Sequence, residues 1–191
     1  MKSHYILLII CAFTFFACDE LDELLFEEVE VTRSFTRSVF IDEGAEEDPE
    51  ADVGFAESGG ENFFTNLEVE GIAISKDQIK KIEMQSVKYE YRNFSGNVDA
   101  NLDSTFMFAV DLIGNTENFN TPNLNVAESD LFNTQYQLSG DFSKVNEVMS
   151  SAGIITYFYS GTLSHNPAMF EVRVTLTVRI TVSIPVDEIE A

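Results

Sequence analysis

The strongest periodicity in the chain lies near its C-terminus. From Ala168 to Ile184 the even positions are Ala168, Phe170, Val172, Val174, Leu176, Val178, Ile180, Val182 and Ile184, all apolar. The odd positions between them are polar or charged apart from Met169. A helix would scatter these residues around its axis, so the spacing predicts a strand with one buried face. At about 3.3 Å per residue it would be on the order of 55 Å long. A strand of that length is expected to bend around a sandwich or to cross between sheets. Pro185 ends it, having no amide hydrogen for a ladder.

The same alternation recurs upstream. Over 29–41, Val29, Val31, Phe35, Val39 and Ile41 share a face with Arg33 and Arg37, and the other face is polar except for Phe40. Over 82–94, Val87, Tyr89 and Tyr91 alternate with Lys88, Glu90 and Arg92. Over 102–112 the even face is Leu102, Ser104, Phe106, Phe108, Val110 and Leu112. Residues 153–163 (GIITYFYSGTL) are apolar on both faces, which predicts a central strand. Helix is sparse. Phe142, Val145, Met149 and Ala152 fall on one side of a helix over 141–152, with Gly153 as its C-terminal cap. A shorter helix is expected over 75–81, with Ser75 as N-cap. The pattern therefore predicts a mainly β chain: an antiparallel β-sandwich-like domain with long strands and one or two short helices.

Residues 1–17 stand apart from this pattern. Lys2 precedes an uncharged run from Tyr5 to Phe16, a length that suits the apolar region of a signal peptide and is too short to span a bilayer. Ala17-Cys18 follows, and then Asp19, Glu20, Asp22 and Glu23. A small residue before a Cys at this place resembles a lipoprotein box, which implies cleavage before Cys18, a diacylglycerol thioether on its sulfur and an acyl group such as palmitate on its new amino group. Cys11 would leave with the signal, so mature Cys18 has no disulfide partner. Several acyl chains give stable anchoring where one gives only marginal binding. The acidic residues Asp19, Glu20, Asp22 and Glu23 resemble the surface-export signal of Bacteroidota lipoproteins. The expected organisation is signal peptide 1–17, lipidated tether 18–26 and a sandwich domain 27–191. The expected location is the outer membrane, lipid-anchored and facing the cell surface.

Charge changes the picture next. The 191 residues carry 33 Asp and Glu against 11 Lys and Arg, a net −22. The excess is uneven: 19–61 holds sixteen acids and only Arg33 and Arg37 as bases. Within it, Asp42 to Gly60 carries eight acids, with Phe55 the only large apolar residue, which predicts a mobile acidic loop over 42–60. Asp42, Glu43, Glu46, Glu47, Asp48, Glu50 and Asp52 are its candidate partner-contact residues. Their spacing does not match a calcium-binding loop, and calcium binding there is the alternative to a solvated loop. Such a charge argues against nucleic acid, whose phosphates demand clustered Lys and Arg.

Lys80-Lys81-Ile82 leading into 86–97 (SVKYEYRNFSGN), a short helix, and then 157–178 (YFYSGTLSHNPAMFEVRVTLTV) resemble a family of flavobacterial surface lipoproteins. The resemblance implies a β-sandwich-like exported lipoprotein of Bacteroidota with no known activity. The acidic stretch 42–60 departs from that family's pattern.

Candidate chemistry is thin. His165, in the turn 164–167, is the only histidine after the signal, and no cysteine nucleophile, Gly-rich phosphate loop or metal-ligand spacing is present. No metal or cofactor is implied, and no catalytic residue is assigned. Asp103-Ser104-Thr105 resembles a Bacteroidota O-glycosylation site, with Ser104 as acceptor. The expected function is non-enzymatic: an interaction or accessory subunit of an envelope complex for barrel assembly, secretion or nutrient uptake. The alternative is a glycan- or lipid-binding module, which requires an exposed aromatic cluster or an apolar cavity.

Overall fold

The computed structural model describes residues 26–44, 48, 50, 52–65, 67–69, 71–111 and 113–186. Two antiparallel sheets pack face to face. The first, the long sheet, contains β1 (Phe26–Glu43), β11 (Ala168–Pro185), β5 (Ile79–Gly96) and β9 (Gln135–Gln137) in that spatial order. The second contains β2 (Val53–Asn62), β10 (Ile154–Leu163), β6 (Asn101–Ala109) and β7 (Thr116–Asn120), with β8 (Leu124–Asn125) also on β6. A small hairpin joins β3 (Glu68–Val69) to β4 (Ile72–Ala73). Two helices, α1 (Val126–Leu131) and α2 (Ser143–Ala152), pack mainly against β5.

The predicted C-terminal strand is present, and all its even positions are buried. It neither crosses between sheets nor bends out of one. Its length is matched instead by two neighbours of 18 residues each, β1 and β5. Register with β1 runs unbroken from Phe26 opposite Pro185 to Glu43 opposite Ala168, so Phe26 belongs to the sheet rather than to a tether. Register with β5 shifts three times, with the extra residue always in β5, near Lys80, Gln85 and Asn93. Each bulge reverses which face a side chain takes. Hence Ile82 and Met84 are buried at even positions, but Val87, Tyr89 and Tyr91 at odd ones. Strict alternation survived in β11 because its partner absorbed the irregularities.

β10 is central, between β2 and β6, as its sequence predicts. Only one of its faces is buried, however. Ile155, Tyr157, Tyr159 and Leu163 point inward, while Ile154 and Phe158 are exposed because no element among the described residues covers the outer face of this sheet.

Both ends of the loop expected over 42–60 are strand. Asp42 and Glu43 extend β1, and 53–60 form most of β2, the edge strand paired with β10. Two features hold β2. Phe55 is buried against Tyr159 and Phe170, with ring centroids 5.4 and 6.3 Å away. Gly59 leaves room for Tyr157, since a Cβ there would lie 2.5 Å from its ring and hydroxyl. Glycine here serves close approach within a strand and not a turn.

α2 matches expectation closely. Val145 and Met149 are buried, and Gly153, at φ 68°, donates its N–H to Met149 O at 2.7 Å. The short helix expected over 75–81 is reduced to a 3-10 turn at Lys76–Gln78. Ser75 donates both its N–H and its hydroxyl to Gln78 Oε1, and β5 begins at once with Ile79. α1 was not expected. Its N-cap is Asn125, whose side chain accepts the Glu128 N–H.

Aromatic rings fill the space between the sheets. Phe106 is central, with centroids 4.5 Å from Tyr159, 5.2 Å from Tyr89 and 6.2 Å from Tyr157. Such spacing fits edge and tilted packing of rings. A chain of hydroxyls threads this core. Tyr91 and Tyr159 share a hydrogen bond of 2.9 Å, Tyr159 meets Ser104 at 2.8 Å, and Ser104 meets Thr121 at 2.7 Å.

Candidate functional site

The candidate site lies where β1 ends and β11 begins. Phe40 and Asp42 leave the outer face of β1, opposite Glu171 and Met169 respectively. Phe40 is 68% exposed and Met169 49% exposed, although alternation should put polar residues there. Together with Ile41, Asn93, Phe170 and Glu171 they line a pocket of about 280 Å³.

Glu171 is only 6% exposed. Its Oε1 accepts hydrogen bonds from the Ser38 hydroxyl and from Arg173 at 3.5 Å, and its Oε2 accepts from Asn93 Nδ2 at 2.8 Å. The Asn93 contact depends on the third bulge, where Asn93 adopts φ 57°, a region that Asn tolerates better than most residues. The Ser38 hydroxyl, and after it Arg173 and Asn93, hold the Glu171 carboxyl below its ordinary range despite burial. A carboxyl so held is a poor general acid at neutral pH. Beside it, Glu90 bridges Arg92 at 2.8 Å and Arg173 at 3.5 Å.

The acidic crossover 44–52 leaves the same end of the sandwich. Asp48 Oδ1 accepts the Glu50 N–H, and the Asp48 carbonyl accepts Asn166 Nδ2, each at 3.0 Å. Asn166 is buried in the β10–β11 turn, so this turn tethers the crossover. Asp42, Asp48, Glu50 and Asp52 are exposed and Glu43 is half-buried. Glu46 and Glu47 lie outside the described residues, as do Cys18, Asp19, Glu20, Asp22 and Glu23.

Ser104 requires a correction. It is 3% exposed, and its hydroxyl is bound to Thr121 and Tyr159 in the core. A glycan on that oxygen has no room in this fold. The sequence signal failed because Ser104 sits on the inward, even face of β6. His165 is half-buried, with Nδ1 2.8 Å from the Ser164 hydroxyl.

Two other clefts, each of about 450 Å³, flank the sandwich. One is lined by Glu61, which is ion-paired to Arg37 at 2.6 Å. The other is lined by Asp141, whose carboxyl is held below its ordinary range by the Ser143 N–H and hydroxyl. Each lining offers one carboxylate among the described residues. Among the described residues no cluster of three or more His, Cys, Asp and Glu is placed to hold a metal ion. Nor is any helix among them long and apolar enough to cross a membrane.

Sequence reasoning missed Glu171, Met169 and Asn93. One signal was available: Phe40 and Met169 are the apolar exceptions on the polar faces of two otherwise regular strands. No family model matches the chain, and no curated protein is similar to it.

Proposed function

We propose that this protein is a non-enzymatic, lipid-anchored interaction subunit of an envelope complex, docking a basic protein partner at its acidic end. The observation that carries the reading is the crossover 44–52: exposed acids between two strands, held by Asn166 next to an apolar pocket. Charges in such a place steer encounter and select a complementary partner. Anchoring through Cys18 and surface export through Asp19, Glu20, Asp22 and Glu23 complete the proposal, in keeping with the resemblance to flavobacterial surface lipoproteins. The test is affinity purification of the full chain from envelope membranes, with and without Asp48→Ser, Glu50→Ser and Asp52→Ser together. A discrete partner that is lost from the triple variant supports docking at this end. Unchanged recovery refutes it.

One observation favours a second reading, glycan binding. The outer face of the β2–β10–β6–β7 sheet carries Ser58, Phe158, Met107 and Asn118 in one row across four strands. Phe158 is 39% exposed and flanked by small or uncharged neighbours, which suits stacking against a neutral sugar. Glycan-array binding that disappears with Phe158→Ser is the result this reading requires.

A further inference from the structure

We propose that the pocket between Phe40 and Met169 receives one Lys or Arg side chain of the partner, with Glu171 as the counter-ion at its floor. This rests on the reading of the acidic end as a docking surface for a basic protein, and it names the kind of residue that anchors there.

The walls are suited to such a guest. Phe40 and Met169 stand out from an otherwise polar face and enclose about 280 Å³ with Asn93 and Glu171. The methylenes of a Lys or Arg pack on apolar surface while the charged head seeks a polar partner. The Phe40 ring also attracts a cation over its face.

The charge of the lining selects the head group. Its two ionisable residues are Asp42 and Glu171, and no Lys or Arg lines the pocket. Glu171 keeps Ser38, Asn93 and Arg173 as donors, Arg173 also as an ion-pair partner at 3.5 Å, which makes three against the roughly four acceptor positions of a carboxylate and leaves one on Oε2. It is therefore ionised, fixed in place and still able to accept. Burying an apolar group against that carboxylate would strip water from it without replacement, and a neutral donor would supply a hydrogen bond but no opposite charge. A guest carboxylate would meet Asp42 and the adjoining acidic crossover.

The test needs no knowledge of the partner. The full-length chain, labelled at its methionine methyls, is titrated with n-butylguanidinium and n-butylammonium, and with n-butanol as the neutral control. The expected result is a saturable movement of the Met169 methyl resonance with both cations, and at least about tenfold weaker binding of butanol, an equilibrium difference well above measurement error. Phe40→Ser should abolish saturation, and Glu171→Gln should weaken it about tenfold through loss of the counter-ion. If Glu171→Gln does not fold, Asp42→Asn takes its place with the same direction of effect. Equal response to butanol, or no saturable response to the cations, overturns the proposal. In the membrane purification, a partner lost from the crossover triple variant but fully retained by Phe40→Ser overturns the pocket anchor alone. A partner unaffected by the triple variant overturns the docking reading instead.

Discussion

The phenol of Tyr91 on β5 and the phenol of Tyr159 on β10 meet at 2.9 Å, the point where the two sheets are joined by a hydrogen bond through the aromatic core. Burial keeps both phenols well above their ordinary pKa, and Tyr159 also meets the Ser104 hydroxyl. Tyr91→Phe is expected to cost about 1 kcal/mol, the net worth of a neutral hydrogen bond. Tyr159→Phe is expected to cost more, about 2 kcal/mol, because it removes a second buried hydrogen bond, to Ser104, whose hydroxyl keeps Thr121. Urea melts of the two single variants and the double variant should show coupling, the double costing less than the two singles combined.

Alkaline stability follows from the same burial. The Tyr157 phenol is pushed up from its ordinary 10.0 to about 12, chiefly by desolvation. The folded pKa exceeds the unfolded one, so the unfolded state releases its proton first as pH rises. Stability from this group is complete below pH 10 and is lost as pH climbs towards about 12. Chemical melts across that window should show a fall in stability that is smaller in Tyr157→Phe.

Glu171 titrates in the opposite sense. Its folded carboxyl lies below its ordinary 4.5, mainly through the Ser38 hydroxyl. Its stabilisation is therefore present above that value and is lost as pH falls through the lowered one. Glu171→Gln should destabilise by about 1–3 kcal/mol at neutral pH, the range for a charge-assisted network losing its acceptor. The difference from wild type should shrink in acid.

Much of this fold was legible in the sequence. β11 shows its inward face without error, and α2 shows both its apolar stripe and its Gly153 cap. What could not be read was β2. Glycines at 54, 59 and 60 and acids at 57 and 61 give it the composition of a loop, and only the ring of Tyr157 explains Gly59. β5 was half legible, since its bulges change the parity of a pattern that periodicity assumes to be constant. The candidate site was legible only as charge. Asp42 was marked, but Glu171 looked like an ordinary outward residue until its Ser38 and Asn93 partners came from strands far away in sequence.

The two kinds of glycine in β2 can be told apart. A Cβ at Gly59 would lie 2.5 Å from the Tyr157 ring, whereas one at Gly54 meets its nearest neighbour at an ordinary 3.9 Å. Gly59→Ala should cost about 1–3 kcal/mol, as overpacking does. Gly54→Ala should stay within about 0.5 kcal/mol of wild type, as surface changes do. Thermal melts of the two variants settle the comparison.

Docking at the acidic end is tested most directly by site-specific photo-crosslinking in intact cells. The photoreactive residue is placed at Asp48 or Glu50 on the crossover and, for comparison, at Asn118 on the outer face of the other sheet. The expected result is a discrete protein adduct from Asp48 and Glu50 and none from Asn118. No adduct from the crossover, or an adduct from Asn118 alone, would contradict it.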